Sequence, residues 1–231
     1  MKNIDFQKFT ECISWFFETD DNLEFVDSKF VSSEIFKSTF PKLNYLISKS
    51  RVLDIKLTRE NKIIQYKLYS WTSSENQNSG WLCKIENQEI DIKILEEHKI
   101  LLENIGGIME TYYLGRNNVQ KLTNNQIFLF TKSKCSKWLY WEEYYVELCK
   151  NERVQKNITT ELVCFATEAN GNATYYDLEN KQVLLFAPDH SFKNVEILDG
   201  QPEYTFYKIE GIETFTDYVE VLSQQWIDII Q

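Results

Sequence analysis

Glycine, proline and histidine are scarce in this sequence of 231 residues, which contains seven, three and two of them. So little glycine and proline excludes long flexible linkers, and the turns must use Asn, Ser, Asp and Lys instead. Hydrophobic residues make up 43% of the chain and aromatic residues 15%, which is enough for a substantial core. We therefore expect an ordered chain, with one large domain or two small ones.

Long apolar runs are also missing. The N-terminal residues lack the uninterrupted apolar stretch of a signal peptide, and no later run has the length needed to cross a bilayer. The sequence predicts a soluble, cytoplasmic protein without a membrane partner.

The sequence has no recognisable metal or disulfide pattern. Its five cysteines are odd in number and include no Cys-x-x-Cys pair, so we expect reduced thiols, mostly buried; they are Cys12, Cys83, Cys135, Cys149 and Cys164. His98 and His190 lie at no ligand spacing from each other or from a cysteine. We predict no metal and no cofactor.

Sequence motifs of catalysis are absent too. There is no Gly-x-Ser-x-Gly, no phosphate-binding loop and no Cys–His arrangement at a recognisable spacing. His98 is interpreted as a packed helix residue, because no Ser, Cys or carboxylate partner is identifiable. We predict a protein that is not an enzyme and has no catalytic residues. A carboxylate-dependent hydrolase stays an alternative, which two carboxylates facing each other in an aromatic-lined cleft would favour.

Acidic residues dominate one end of the chain. Residues 161–231 contain thirteen Asp and Glu against three Lys and Arg, a net charge of -10, whereas residues 1–160 contain 22 of each sign. A surface of one sign attracts partners of the other sign and repels phosphate backbones. The C-terminal part therefore favours a basic partner over direct binding of nucleic acid. Charge alone is equally compatible with an acidic surface that only maintains solubility.

The apolar pattern changes between helical and strand periodicity along the chain. Three-to-four-residue spacing predicts helices at 6–17, 91–105 and 138–149, and after a capping-box-like start at Thr214. Alternation predicts strands at 53–57, 64–68, 81–85, 126–131, 162–166, 173–178, 182–186 and 204–209. The segment 18–50 has no clear pattern. This mixture predicts an α+β fold, with a largely antiparallel or mixed sheet flanked by helices.

Five segments, taken in order, resemble the SUKH superfamily. They are a helix ending in Asn104-Ile105-Gly106-Gly107, then Phe165-Ala166-Thr167, a Gly171-Asn172 turn leading into 173–178, Val183-Leu184-Leu185-Phe186, and Phe215-Thr216-Asp217-Tyr218-Val219. The resemblance covers about residues 92–230 and depends on the order of the segments. The first ninety residues fall outside it, and the helix is not followed by a clear Leu-Pro.

The resemblance implies a SUKH-like domain at 92–231, with residues 1–91 as an N-terminal α+β extension packed on it. It marks five fold-signature residues, Gly106, Gly107, Gly171, Tyr176 and Asp177. Gly171 is expected to supply a positive φ in its turn, and Asp177 to accept hydrogen bonds from the backbone of a neighbouring turn.

The SUKH superfamily includes yeast cell-wall-synthesis regulators and many bacterial immunity proteins. The resemblance implies a non-catalytic immunity protein that neutralises a protein toxin by direct binding. A nuclease toxin is basic because it binds phosphate, which suits an acidic surface. Local charge density predicts the partner-binding residues Asp189, Glu196, Asp199, Glu203, Glu210 and Glu213. We expect a monomer or weak homodimer. A regulatory or scaffold module for an endogenous partner shares every one of these features.

Overall fold

The computed structural model describes residues 3–86, 93–113, 122, 126–131, 141–158, 161–168, 171–189 and 194–230. Six helices and eleven strands lie within these ranges. The helices are α1 (Ile4–Cys12), α2 (Glu34–Thr39), α3 (Pro41–Ser48), α4 (Glu96–Ile105), α5 (Trp141–Glu152) and α6 (Phe215–Ile230). The strands are β1 (Asn22–Ser28), β2 (Arg51–Arg59), β3 (Lys62–Thr72), β4 (Asn78–Ile85), β5 (Gly107–Tyr113), β6 (Gln126–Leu129), β7 (Leu162–Glu168), β8 (Ala173–Asp177), β9 (Val183–Phe186), β10 (Val195–Ile197) and β11 (Phe206–Ile209).

All of these strands pair in antiparallel fashion, in the order β1-β2-β3-β4-β5-β6-β7-β8-β9-β11-β10. Sequence neighbours are therefore spatial neighbours, except that β11 is inserted between β9 and β10. Among the described residues, the two halves, β1–β5 and β6–β11, are joined at a single paired position, Ile108 opposite Leu129. The α+β class predicted from the sequence is confirmed, and the sheet is wholly antiparallel within the described strands.

Helices cover both faces of the sheet. On one face, α2, α3, α4 and α6 pack over the largest core cluster, which draws side chains from strands of both halves. On the other face, α1 packs over β2–β5 through Phe9, while α5 packs over β7–β9 and β11 through Trp141 and Tyr145. The sheet is thus the middle layer, and its alternating side chains serve two separate cores.

The C-terminal helix α6 spans the joint between the two halves. Near its end, the Trp226 ring lies 5.7 Å from that of Trp71 and 5.2 Å from that of Trp81, both in the first half. At its start, the Phe215 ring lies 5.2 Å from that of Phe165 in the second half. The division at residue 91 falls between β4 and α4, and β4 pairs with β5 across it. Residues 3–86 therefore pack directly on the rest of the described chain.

Several elements were not predicted from the sequence. Strand β1 and helices α2 and α3 lie in the segment without a clear pattern, and β5 begins directly after the glycine that ends α4. Helix α1 ends at Cys12, so Phe16 and Phe17 lie beyond it and pack from the following turns onto Tyr66. The positions of Phe16 and Phe17 in the sequence fit helical spacing, but their rings are packed by tertiary contacts outside the helix.

Membrane-spanning character is absent from the described helices. The longest of them, α6, has 16 residues and places its apolar side chains against the core.

Two fully buried tyrosines differ in what their hydroxyl groups contact. The Tyr176 hydroxyl accepts a hydrogen bond from the backbone N–H of Leu95 (3.3 Å) and lies 3.0 Å from Nδ1 of His98. Nε2 of His98 lies 2.7 Å from the carbonyl oxygen of Phe130, so Nε2 carries the proton and Nδ1 accepts one from Tyr176. The Tyr69 hydroxyl, in contrast, has no hydrogen-bond partner among the described residues.

We expect Tyr176→Phe to lower the free energy of unfolding by about 1–3 kcal/mol, because it leaves buried groups of Leu95 and His98 without their partner. Tyr69→Phe is the matched control and removes an unpaired buried hydroxyl, so we expect no loss of stability. Urea unfolding of both variants measures the difference. Equal losses would contradict this assignment of the hydrogen bonds.

Candidate functional site

The acidic residues predicted to bind a partner are exposed side chains around the β10–β11 hairpin. Glu196 lies on β10, the edge strand of the second half. Asp199 and Glu203 lie in the connection from β10 to β11, and Glu210 and Glu213 lie in the turns after β11. Asp189 is also exposed, in the segment after β9. All six are therefore available at the surface.

Three of the six line one cleft of about 840 Å³: Glu196, Glu210 and Glu213. Asp217 adds a fourth carboxylate and Lys208 contributes one positive charge. The rest of the lining is neutral and consists of Asn180, Gln182, Ile209, Gly211, Ile212 and Thr214. Asp189, Asp199 and Glu203 lie outside this lining. The structure thus separates the predicted residues into a cleft and a group at the other end of the hairpin.

Local hydrogen bonds shape the cleft. Gly211 has φ = +74°, which lets the chain reverse after β11, and the Ile212 N–H bonds back to the carbonyl oxygen of Ile209 at 3.0 Å. The carbonyl oxygen of Glu213 then accepts a bond of 2.9 Å from the N–H of Val183 on β9. These bonds fix the turn that carries Glu210 and Glu213 against the end of the sheet.

The start of α6 forms the wall of the cleft. The Asp217 carboxylate accepts hydrogen bonds from the Thr214 N–H (2.8 Å) and hydroxyl (2.8 Å), and the Thr214 hydroxyl accepts one from the Asp217 N–H (3.2 Å). This reciprocal pattern is a capping box, as the sequence predicted. The sequence analysis did not identify Asp217 as a lining residue of an acidic cleft, although the same motif contained it.

The distribution of ion pairs distinguishes the two ends of the chain. Seven of the ten ion pairs between described residues join side chains within residues 1–91, and Arg59 with Asp21 is one of them, at 2.6 Å. The hydrogen bonds from Arg59 hold the pKa of Asp21 below its ordinary value. By contrast, the acidic side chains of the hairpin form no ion pair with a described residue; they are Glu196, Asp199, Glu203, Glu210 and Glu213.

Exposed tyrosines lie beside the acidic group at the far end of the hairpin. Tyr204 is 42% exposed and has φ = +61°, a conformation that a bulky side chain rarely adopts. Its N–H donates to the Tyr207 hydroxyl at 2.9 Å. Burial raises the pKa of Tyr207, and the nearby Glu203 carboxylate raises it further. Tyr144, also exposed, donates to the carbonyl oxygen of Pro188 at 3.3 Å. This end combines negative charge with exposed aromatic side chains, in which protein interfaces are enriched.

The fold-signature residues have structural positions. Gly106 ends α4 with φ = +80°, and a Cβ at Gly107 would lie 2.6 Å from Cα of Thr131. Gly171 has φ = +93° in the turn before β8. The hydroxyl group of Tyr176 forms the buried hydrogen bonds with His98 and the Leu95 N–H described above. Asp177 accepts from the backbone N–H groups of 179 and 180 at 2.7 and 3.3 Å and thereby orders the β8–β9 turn.

The cleft differs from the aromatic-lined arrangement that would favour a carboxylate-dependent hydrolase. It contains several carboxylates, as a hydrolase requires, but none of its described lining residues is aromatic. One of the four carboxylates, Asp217, is already engaged in the capping box. His98 is buried within the core and does not face the cleft. In the described ranges, no three His, Cys, Asp or Glu side chains converge closely enough to hold a metal ion.

Comparison of the chain with models of protein families, with curated proteins and with solved structures gives no match.

We expect Glu210→Gln with Glu213→Gln to raise the free energy of unfolding at low ionic strength by about 0.5 kcal/mol. The double substitution removes two negative charges, which form no ion pair with a described residue, from a surface that is already negative. The matched control, Glu24→Gln with Glu34→Gln, makes the same change in net charge but removes the ion pairs with Lys56 and Lys37, so it should lower stability. Urea unfolding at low and high salt measures both. Effects of the same sign in the two variants would refute the contrast between paired and unpaired carboxylates.

Proposed function

We propose that this protein is a non-catalytic binding protein that holds a basic protein partner against the β10–β11 hairpin. The observation that carries the proposal is a set of exposed carboxylates that form no ion pair with any described residue, namely Glu196, Asp199, Glu203, Glu210 and Glu213. A carboxylate paired with a neighbouring Lys or Arg has its field largely cancelled at distances greater than the separation of the pair. The unpaired ones project a negative potential into solvent, which attracts a cationic surface and accelerates its association.

The form of the surface supports a protein as the partner. The cleft offers negative charge at one end of the hairpin, and Tyr144 and Tyr204 offer exposed aromatic area at the other. The paired register of β10 with β11 covers only 195–197 and 207–209, so both ends lie within one contact surface. Nucleic acid would be repelled by such a surface.

The resemblance to the SUKH superfamily supports a specific class of partner. We propose a toxin that the protein neutralises by occluding its basic, phosphate-binding surface, which makes this chain an immunity protein. A nuclease must present Lys and Arg to the phosphate backbone. The same side chains would meet the carboxylates of the hairpin, so binding here would block the toxin's substrate site.

Reversing the cleft charges tests the proposal. We expect Glu196→Lys with Glu210→Lys and Glu213→Lys to weaken binding of a cognate toxin domain, to be sought among the products of the adjacent genes, by about tenfold or more. Calorimetric titration at several salt concentrations gives the affinities, and that of the unaltered protein should fall as salt rises. Co-expression with the toxin should protect cells, and the triple variant should protect them less.

The matched control reverses three exposed carboxylates elsewhere, Glu60→Lys, Glu103→Lys and Glu147→Lys, and makes the same change in net charge. It should retain most of the affinity, because the proposal depends on the position of the charges. Equal affinities of the hairpin triple variant and the unaltered protein would reject this surface. Binding without protection of cells would reject the immunity role and favour a regulatory partner.

A further inference from the structure

The other edge of the sheet is formed by β1, Asn22–Ser28. This strand pairs with β2 along its whole length in an uninterrupted register, from Asn22 opposite Thr58 to Ser28 opposite Val52. No described strand pairs with its other side. Its free edge therefore presents a row of backbone N–H and C=O groups over seven residues. The edge strand at the opposite end of the sheet, β10, has only three residues.

Strand β1 lacks several features that usually protect a sheet edge from pairing with another chain: it contains no proline, no lysine and no bulge. Its two carboxylates each contact a neighbouring side chain, Glu24 that of Lys56 at 2.9 Å and Asp27 that of Asn3 at 3.2 Å. Two apolar side chains at its centre are exposed, Phe25 at 37% and Val26 at 64%. Helix α1 lies over β3, β4 and β5 and touches β1 through Phe6, whose ring is 4.7 Å from that of Phe25. The outer edge of β1 is thus open to a further strand.

We propose that a second copy of this chain pairs its β1 with this β1 in antiparallel orientation, so that two sheets join into one. The strand is complementary to a second copy of itself. A two-fold axis perpendicular to the sheet keeps each side chain on its own face, and directly opposed residues share a face. The axis must therefore pass between a residue and its own copy, and within the middle of β1 that residue is Glu24, Phe25 or Val26.

The charges and the length of the strand select among these registers. A centre at Glu24 places two carboxylates directly opposite each other, which is unfavourable. A centre at Val26 pairs only 24–28 of each copy. A centre at Phe25, the middle residue of β1, pairs all seven residues with all seven of the copy. It sets Phe25 against Phe25, an aromatic pair of the kind that stabilises sheets.

The Phe25-centred register also places no carboxylate opposite another. Glu24 faces Val26 of the copy, and Asp27 faces Leu23 of the copy. Glu24 forms an exposed ion pair with Lys56, whose Nζ lies 2.9 Å from it. Seven residues from each copy make a small contact, since stable interfaces use about 20–30 residues a side. The structure therefore assigns a dimer that forms and dissociates with concentration.

Substitutions at Val26 test both the contact and its register. Sedimentation of the full chain from micromolar to millimolar concentrations should show a mass rising from 27.5 kDa toward twice that value. Val26→Glu opposes Glu24 of the copy at two symmetric positions, so we expect the dimer to be about tenfold weaker. Val26→Lys opposes the same carboxylates with positive charge, so the dimer should persist or tighten. In the Val26-centred register, Val26→Lys would instead oppose itself and weaken the dimer.

The matched control is Ile63→Glu, on β3, two strands away from the edge. Ile63 is also an exposed β-branched residue, at 61%, and this change should leave the dimer unaltered. Circular dichroism of each variant checks that it is folded. A constant mass of 27.5 kDa at all concentrations would overturn the proposal, and so would a dimer that Val26→Glu leaves intact. Weakening by both Val26 variants would overturn the Phe25-centred register.

Discussion

The packing of α6 across the sheet is the interaction on which the rest of the structure depends. Among the described residues, one paired position joins the two halves of the sheet, so backbone pairing between these residues contributes little to holding the halves together. The aromatic face of α6 compensates, with Trp226 against the tryptophans of β3 and β4 and Phe215 against the second half. Glu220 of the same helix accepts hydrogen bonds from the N–H groups of Lys42 and Leu43, and thereby caps α3, which has no side-chain cap of its own. Large buried aromatic contacts of this kind each contribute on the order of 3–5 kcal/mol, measured as the cost of truncation to alanine.

This arrangement places two different surfaces at opposite edges of one sheet. The N-terminal edge belongs to a part of the chain whose charged side chains form ion pairs with one another. Contacts at this edge therefore depend on short-range interactions, and its surface is partly apolar. The C-terminal edge carries carboxylates that lack such partners among the described residues and act over a longer range. Nine described strands lie between the two edge strands, so a partner at one edge would not cover the other.

The candidate site was predictable in composition and not in shape. Charge density alone identified the acidic segment from Asp189 to Glu213, and the structure places all six selected residues at the surface. Charge density could not show that the turn around Gly211 brings Glu196, Glu210 and Glu213 into one cleft. Nor could it show that the β10–β11 connection places Asp199 and Glu203 away from that cleft. Spacing along the chain does not determine distance in space once the chain reverses. The SUKH relationship and the role of each carboxylate stay predictions.

Local chemistry is what the sequence determined by itself. The capping box at Thr214, the turn ordered by Asp177 and most strands with strong alternation depend on residues a few positions apart, and these interactions act wherever the segment lies. Tertiary structure alone decided that β1 is a strand at an edge, that Phe16 and Phe17 belong to a core without belonging to a helix, and that a carboxylate of α6 caps α3. Each of these depends on groups far apart in the sequence, whose meeting is set by which apolar faces can be buried together and not by any local preference of the chain.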